Sequence, residues 1–226
     1  SLQADACKTQ IAELAVYTKA DKIWAVSDYD GEAIRREGIS ARKIHVVPNI
    51  HLIPPPPPGF ESREKDTLLF IGGFSHAPNV DAVQHFAKEV LPLIRKRVPS
   101  VKLLVVGDCP PASIRELASP SVSVLGYVPE TAAFLNSALV SVAPLRFGAG
   151  LKGKVGEALA AGIPVVTTSV GAQGMSLVSG KDCIIADTPT DFADAVTSLL
   201  TNATLWSSLS KRGQEFMEQN FGYKPI

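Results

Sequence analysis

Short apolar runs alternate with amphipathic stretches along almost the whole chain, and no other feature constrains the fold as tightly. The runs fall at Lys22–Ser27, Lys43–Val47, Thr67–Ile71, Lys102–Val106, Val122–Leu125, Leu139–Ala143, Pro164–Thr168 and Asp182–Ala186. Each has strand length, and most are too continuously apolar for a strand with one wet face. The spacing of the intervening stretches predicts helices near 28–37, 79–97, 112–118, 130–136, 152–161, 189–201 and 203–219. Repeated strand–helix–strand units of this kind imply an α/β fold with a doubly wound parallel sheet. A hydrophobic share of 46% over 226 residues is enough for one full domain and part of a second.

One composition shift divides the chain. Ile53-Pro54-Pro55-Pro56-Pro57-Pro58-Gly59 excludes helix and central strand and predicts a stiff, extended linker. Residues 1–52 then read as the last βαβ unit of one domain and 60–226 as a complete second domain. The chain opens inside a helical pattern (Ile11, Leu14, Ala15, Thr18) without an initiator Met. It closes at Tyr223-Lys224-Pro225-Ile226 with no finishing element, so a piece of a larger protein is expected. In the first long helix of the second domain, Asn79 is the expected N-cap, with Asp81 in the first turn. Val80, Val83, Phe86, Ala87, Val90 and Ile94 form its apolar stripe, and Pro92 should kink it.

Bulk charge and cysteine usage exclude several classes. Lys plus Arg and Asp plus Glu both number 22, so nothing in bulk charge argues for a nucleic-acid partner. Cys7, Cys109 and Cys183 are odd in number and lack metal spacing, as do His45, His51, His76 and His85. Reduced structural thiols and a cytoplasmic location are expected, with neither a signal peptide nor a spanning apolar run in the sequence.

The chemistry is concentrated after the run ending at Ala143. Pro144-Leu-Arg146-Phe-Gly148-Ala-Gly150-Leu151-Lys152-Gly153-Lys154-Val-Gly156-Glu157-Ala158 is a glycine-rich loop leading from a strand into a helix that ends at Gly162. Glycines admit a ligand close to the backbone, amides at a helix start attract anions, and two lysines add charge. Two familiar patterns fit by letter only. Gly148-x-Gly150-x-x-Gly153 lacks the acidic residue that a dinucleotide site needs at the end of the next strand, which runs Val166-Thr167-Thr168-Ser169. Gly148-x-x-x-x-Gly153-Lys154 is followed by Val155 where a P-loop needs a magnesium-binding hydroxyl. A metal-independent diphosphate site remains, with Glu157 placed to accept hydrogen bonds from a ribose diol. A surface ion pair between Glu157 and Lys154 is the plain alternative.

The run from Arg146 through Gly148, Gly150, Lys152, Lys154, Glu157-Ala158 and Gly162 to Pro164-Val165-Val166-Thr167-Thr168 resembles the donor-site signature of group 1 glycosyltransferases. Those are GT-B-fold, mostly retaining enzymes of the family-4 type. Further segments fit the same family in order. They are Ala25-Val26-Ser27, Val46-Val47-Pro48-Asn49, Phe70-Ile71-Gly72-Gly73 with Pro78-Asn79, Leu103–Gly107, Val124–Val128 and Gly171-Ala172-Gln173-Gly174. The resemblance implies a Rossmann-like donor domain with a short remnant of the acceptor domain before it. Glu157 would grip the ribose hydroxyls; Lys154, supported by Lys152 or Arg146, would face the diphosphate and stabilise the leaving group. Backbone around Gly148, Gly150, Leu151 and 172–175 would hold sugar or phosphate oxygens, Gly72 and Gly73 would border the cleft, and the Gly126-Tyr127 loop would read the base.

Three positions depart from the family pattern. Ala149 stands where a first glutamate is common, Gln173 replaces a frequent Glu, and Gly73 replaces a phosphate-contacting Arg. The implied activity is transfer of a hexosyl unit from a nucleoside diphosphate sugar to a glycan or lipid-linked acceptor, without metal or other cofactor. The acceptor would be held by the missing N-terminal half, and a membrane surface is conceivable for the full-length protein. The piece alone should turn over little. Polysaccharide biosynthesis is the expected setting. A nucleotide-sugar epimerase of the same fold and a non-catalytic nucleotide-binding module are the rival readings.

Overall fold

The computed structural model describes residues 2–55 and 57–223, with side chains from residue 11 onward. The expectations placed on the Cys7 side chain, on Pro56 and on residues 224–226 therefore lie outside the described residues. The chain separates into two compact units, Ser1–Asn49 and Ile50–Ile226.

The first unit is a single βαβ turn behind a long helix. Helix α1 (Leu2–Lys19) precedes strand β1 (Ile23–Ala25), helix α2 (Asp28–Arg36) and strand β2 (Ile44–Val46). The two strands pair in parallel, Ile23 opposite Ile44 and Ala25 opposite Val46. Ser27 caps α2 by accepting from the Asp30 amide at 3.1 Å, as expected of a hydroxyl just outside a helix start. Ile23, Ala25 and Ile44 form the small core.

The second unit is built on six parallel strands among the described residues. These are β3 (Thr67–Ile71), β4 (Lys102–Val106), β5 (Val122–Gly126), β6 (Val140–Ala143), β7 (Val165–Thr167) and β8 (Ile184–Ile185). Their order across the sheet is β5-β4-β3-β6-β7-β8, so the winding reverses between β3 and β6. Side chains alternate between two cores, one on each face. Leu68 and Phe70 pack with Val83, Phe86, Ile94 and Val196 on one face. Leu69 packs with Val155, Leu159, Met217 and Phe221 on the other. Helices therefore cover both faces, which accounts for the unbroken apolar strands. The covering helices are α3 (Ala77–His85), α4 (Leu91–Arg95), α5 (Ala112–Arg115), α6 (Ala132–Ser137), α7 (Gly153–Ala160), α8 (Pro189–Thr201) and α9 (Ala203–Phe221).

One local expectation is corrected. Asn79 is not an N-cap: α3 starts at Ala77, capped by His76 without a side-chain bond, and Asn79 is buried in its first turn. The long helix meets Pro92 through a π-turn over Phe86–Val90, after which α4 begins. Proline lacks an amide and crowds the carbonyl four residues back, and a wider turn relieves both. The apolar stripe is buried at Val83, Phe86, Val90 and Ile94, while Val80 and Ala87 are half-buried.

The proline-rich segment lies along the second unit. Ile53 joins its core, the Pro54 carbonyl accepts from Gln214, and Pro57 sits against Gly162. Gly162 ends α7 with φ of +65°, and a Cβ there would fall 2.3 Å from Pro57 Cγ. Left-handed strain and this overlap add, so Gly162→Ala should destabilise the unit by about 2–3 kcal/mol. A urea denaturation curve checks this; an unchanged midpoint would mean that Pro57 moves aside freely.

Candidate functional site

Where strand order reverses, the loops at the carboxyl ends of the two central strands part and leave a crevice. Here those strands are β3 and β6, followed by Gly72-Gly73 and by the glycine-rich loop of residues 144–152. The backbone is drawn tight on the β3 side. The Gly72 amide donates to Val106 O at 2.9 Å, and a Cβ on Gly107 would fall 2.0 Å from Gly72 O. A Cβ on Gly72 itself would fall 2.6 Å from Lys154 Nζ and 2.9 Å from Asn79 Nδ2. Gly72 is thus needed so that Lys154 can lie across the strand end.

The glycine-rich loop turns through left-handed backbone at Gly148 (φ +118°) and Gly150 (φ +77°). Its carbonyls at 148, 149 and 150 accept from Lys152 Nζ at 3.2, 3.0 and 2.5 Å. Lys152 therefore folds back and closes the loop. It is also the N-cap residue of α7, without a side-chain bond to the helix amides. The amides at the start of α7 thus have no side-chain cap, and they carry the positive end of the helix dipole. Gly148 lies against Pro78 at the start of α3, so the two loops touch.

Lys154 is the most constrained cation of the site. Its ammonium donates to Asn79 Oδ1 and stands 4.6 Å from the centre of the Phe70 ring. Burial, with a smaller contribution from the Lys152 charge, pushes its pKa down to about 8. Glu157, one turn along α7, accepts from Thr131 Oγ1 at 2.6 Å. Among the described ion pairs none joins Glu157 to Lys154; each has its own partner, so the plain ion-pair reading is not what the structure holds. Glu157 borders a cleft of about 510 Å³ that is also lined by His51, Leu135, Asn136 and Ala160.

The remaining expected residues fall in different places. Arg146 forms a two-bond ion pair with Asp81 of α3, which holds the Asp81 carboxyl below its ordinary pKa. Through this pair it braces the loop against α3. Leu151 is half-buried against the α7 core. Tyr127 is 73% exposed on the loop after β5. The amides of Ala172, Gln173 and Met175 donate within their own turn, to Thr168, Val170 and Ala172 carbonyls. The Thr167 and Thr168 hydroxyls donate to Ala143 O and Leu145 O, tying β7 to the loop.

Three residues at the crevice were not among the candidate site residues: Asn79, part of the Pro78-Asn79 resemblance but read as a helix cap; Thr131, inside the predicted helix 130–136; and His51. His51 Nε2 is buried without a hydrogen-bond partner, facing the bare Cα of Gly156. Burial lowers its pKa, and Glu157 opposes the shift. Cys183 is buried and its thiol is pushed up to about 12, as suits a structural thiol.

The family model for glycosyl transferases group 1 matches residues 65–202, which takes in β3 through α8 with Gly72, Asn79, Lys154 and Glu157. The chain belongs to the group 1 glycosyltransferases. An uncharacterized protein in the cps region of Klebsiella pneumoniae is 23% identical over 174 residues, covering 70% of this chain and 43% of its own length. Among solved structures, a mutant of S. aureus TarM in complex with UDP superposes with a TM-score of 0.81 at 16% identity, over 95% of this chain and 44% of its own. The pneumococcal O-GlcNAc transferase GtfA, in complex with UDP and GlcNAc, gives 0.74 at 14% identity, over 93% and 44%. Sucrose-phosphate synthase from Thermosynechococcus elongatus gives 0.74 at 20%, over 94% and 57%. At such identities these structures share the fold. The chain spans less than half the length of the cps-region relative and of TarM. Among the described residues no helix is long and apolar enough to cross a membrane.

Proposed function

We propose that this chain is the donor-binding half of a glycosyltransferase that moves a sugar from a nucleoside diphosphate sugar to a glycan or lipid-linked acceptor. The observation that carries the reading is the convergence of the α7 N-terminus, Lys154 and Glu157 at the reversal point of the sheet. A diphosphate set against α7 would meet the helix amides and the Lys154 ammonium together. Both stabilise the charge that grows on the leaving nucleoside diphosphate, so the chemistry asks for no metal. Glu157 keeps a second carboxylate oxygen beside the one bonded to Thr131, and it can accept from ribose hydroxyls. GtfA and TarM have been crystallised with UDP, which makes uridine the first base to test. A setting in surface-polysaccharide assembly is supported by the cps-region relative. The acceptor, and most groups facing it, would belong to the rest of a longer protein.

Calorimetric titration of the 226-residue chain with UDP, GDP, ADP and NAD in EDTA tests the reading. One nucleoside diphosphate should bind without metal. Glu157→Ala should weaken it by about 10- to 30-fold, the worth of one or two hydrogen bonds to a charged acceptor. Failure of all four nucleotides to bind at millimolar concentration would sink the site assignment and leave the family and fold intact.

A further inference from the structure

We propose that Asn79 is a positioning residue of this site: its carboxamide fixes the Lys154 ammonium over the gap left by Gly72 and keeps the full positive charge available to an anionic ligand. That the ligand is a nucleoside diphosphate rests on the proposed function; the tether does not. A lysine side chain has four rotatable bonds and a diffuse ammonium, so it stabilises a developing charge only where something holds it. Around Lys154 the Phe70 ring and the bare Gly72 Cα confine the ammonium without directing its hydrogens. Asn79 supplies the directing acceptor through Oδ1.

The orientation of that acceptor is itself determined. Asn79 Nδ2 donates to Gly73 O at 2.7 Å. Turning the amide over would set oxygen against the Gly73 carbonyl and NH2 against the ammonium, two repulsive contacts for two attractive ones. Asn79 is only 7% exposed, so water cannot take over either role at little cost. It lies in the first turn of α3 next to Pro78, which packs on Gly148. Pro78-Asn79 therefore ties together the β3 loop, the glycine-rich loop and α7.

The choice of an amide has a chemical consequence. A carboxylate at this position would also hold the ammonium, but would cancel its charge before a ligand arrived. A neutral acceptor takes one of the three ammonium donors and leaves two for phosphate oxygens. The charge felt at the Lys154 ammonium is that of Lys152 on the loop; Asp108 lies beside Gly73, and Glu157, one turn along α7, is bonded to Thr131.

The test uses the 226-residue chain with 13C-labelled lysine, the Lys154 signal being assigned by its loss in Lys154→Met. In the wild type the Cε protons should be shifted upfield by the Phe70 ring current. Asn79→Ala should abolish that shift while the thermal melt stays cooperative, and should weaken UDP, GDP or ADP binding at least about tenfold. Asn79→Asp should restore the shift and raise the Lys154 titration midpoint by about one pH unit or more, and still bind the nucleotide at least about tenfold more weakly than wild type. A residue that merely supported the fold would not separate position from charge in this way. An unchanged Lys154 shift in Asn79→Ala overturns the proposal. Should that variant fail to fold, an unmoved midpoint in Asn79→Asp overturns it instead. Absence of nucleotide binding by the wild type refutes the donor-site reading, whereas the lysine signal alone decides the tether.

Discussion

Arg63→Met is expected to destabilise the second unit by about 2–4 kcal/mol, lowering its urea midpoint with no change in slope. Arg63 is 3% exposed. Its Nε donates to Pro58 O at 3.1 Å, and one terminal nitrogen donates to Leu135 O and Ala138 O, both at 2.7 Å. The last two carbonyls lie at the end of α6, where helix carbonyls lack intrahelical partners and the dipole favours a cation. The guanidinium also lies 5.1 Å from the centre of the Trp206 ring, itself fixed by its indole N–H bond to Leu139 O at 2.6 Å. Burial has a cost: it lowers the Arg63 pKa to about 10, and the second terminal nitrogen is buried without a partner. Methionine recovers that cost and preserves volume, yet strands three carbonyls, each worth about 1–3 kcal/mol when buried and unpaired. Arg63→Lys should recover only part of the loss, because an ammonium cannot reproduce the fork. A midpoint within error of wild type would show that water reaches the three carbonyls.

Lys154→Met is expected to weaken nucleoside diphosphate binding by about 100-fold and, unlike most substitutions in a folded unit, to raise thermal stability at neutral pH. The binding loss follows from removing the charge held nearest the α7 amides, worth about 2–3 kcal/mol in a partly desolvated site. The stability gain follows from linkage. The folded pKa is about 8 against an ordinary 10.5, so the folded state binds the proton less well than the unfolded state. Between these values the unfolded chain carries more protons, and wild-type stability rises with pH through this window. At pH 7 the wild type bears the whole penalty, about 3 kcal/mol, and the methionine variant none of it; the Asn79 oxygen left unpaired in the variant offsets about 1–2 kcal/mol of this, for a net gain of about 1–2 kcal/mol. Melts of both proteins from pH 7 to 10 should converge as pH rises. Over the same range wild-type affinity for the nucleotide should fall, as the lysine loses its proton above about pH 8. A variant less stable than wild type at pH 7 would contradict this account of the buried ammonium.

Opposed effects on binding and stability at one residue are expected where a site holds charge for a ligand that is absent. The crevice shows the arrangement in parts. Gly72 makes room, Asn79 aims the ammonium, and Lys152 spends its own hydrogen bonds closing the loop. Lys152 thus commits donors to the loop while its charge is still felt at Lys154.

All eight strands were legible because apolar runs of strand length, bounded by Gly, Pro and polar turns, are local signals. Each run in 22–27, 43–47, 67–71, 102–106, 122–125, 139–143, 164–168 and 182–186 coincides with an observed strand, β5 running one residue further to Gly126. The glycine-rich entry to α7 was legible for the same reason, since left-handed turns and a helix start are written in consecutive residues. The family resemblance added roles that geometry alone could not name. Arg146 shows the limit of that transfer. Its place in the motif implied a phosphate contact, whereas the structure pairs one edge of its guanidinium with Asp81, a partner the motif does not announce.

By itself the sequence determined the α/β class, the places of the strands and the loop that carries Lys154 and Glu157, because periodicity and turn chemistry act over a few residues. Tertiary structure decided which polar side chains meet. Asn79 and Lys154 are 75 residues apart, Thr131 and Glu157 are 26 apart, and Arg63 reaches carbonyls 72 and 75 residues away. Such pairings leave no periodic trace, since a single polar residue suits a solvated turn as readily as a buried partner. They form only once the winding of the sheet, reversing between β3 and β6, has brought the loop ends together and removed the water that would otherwise satisfy them.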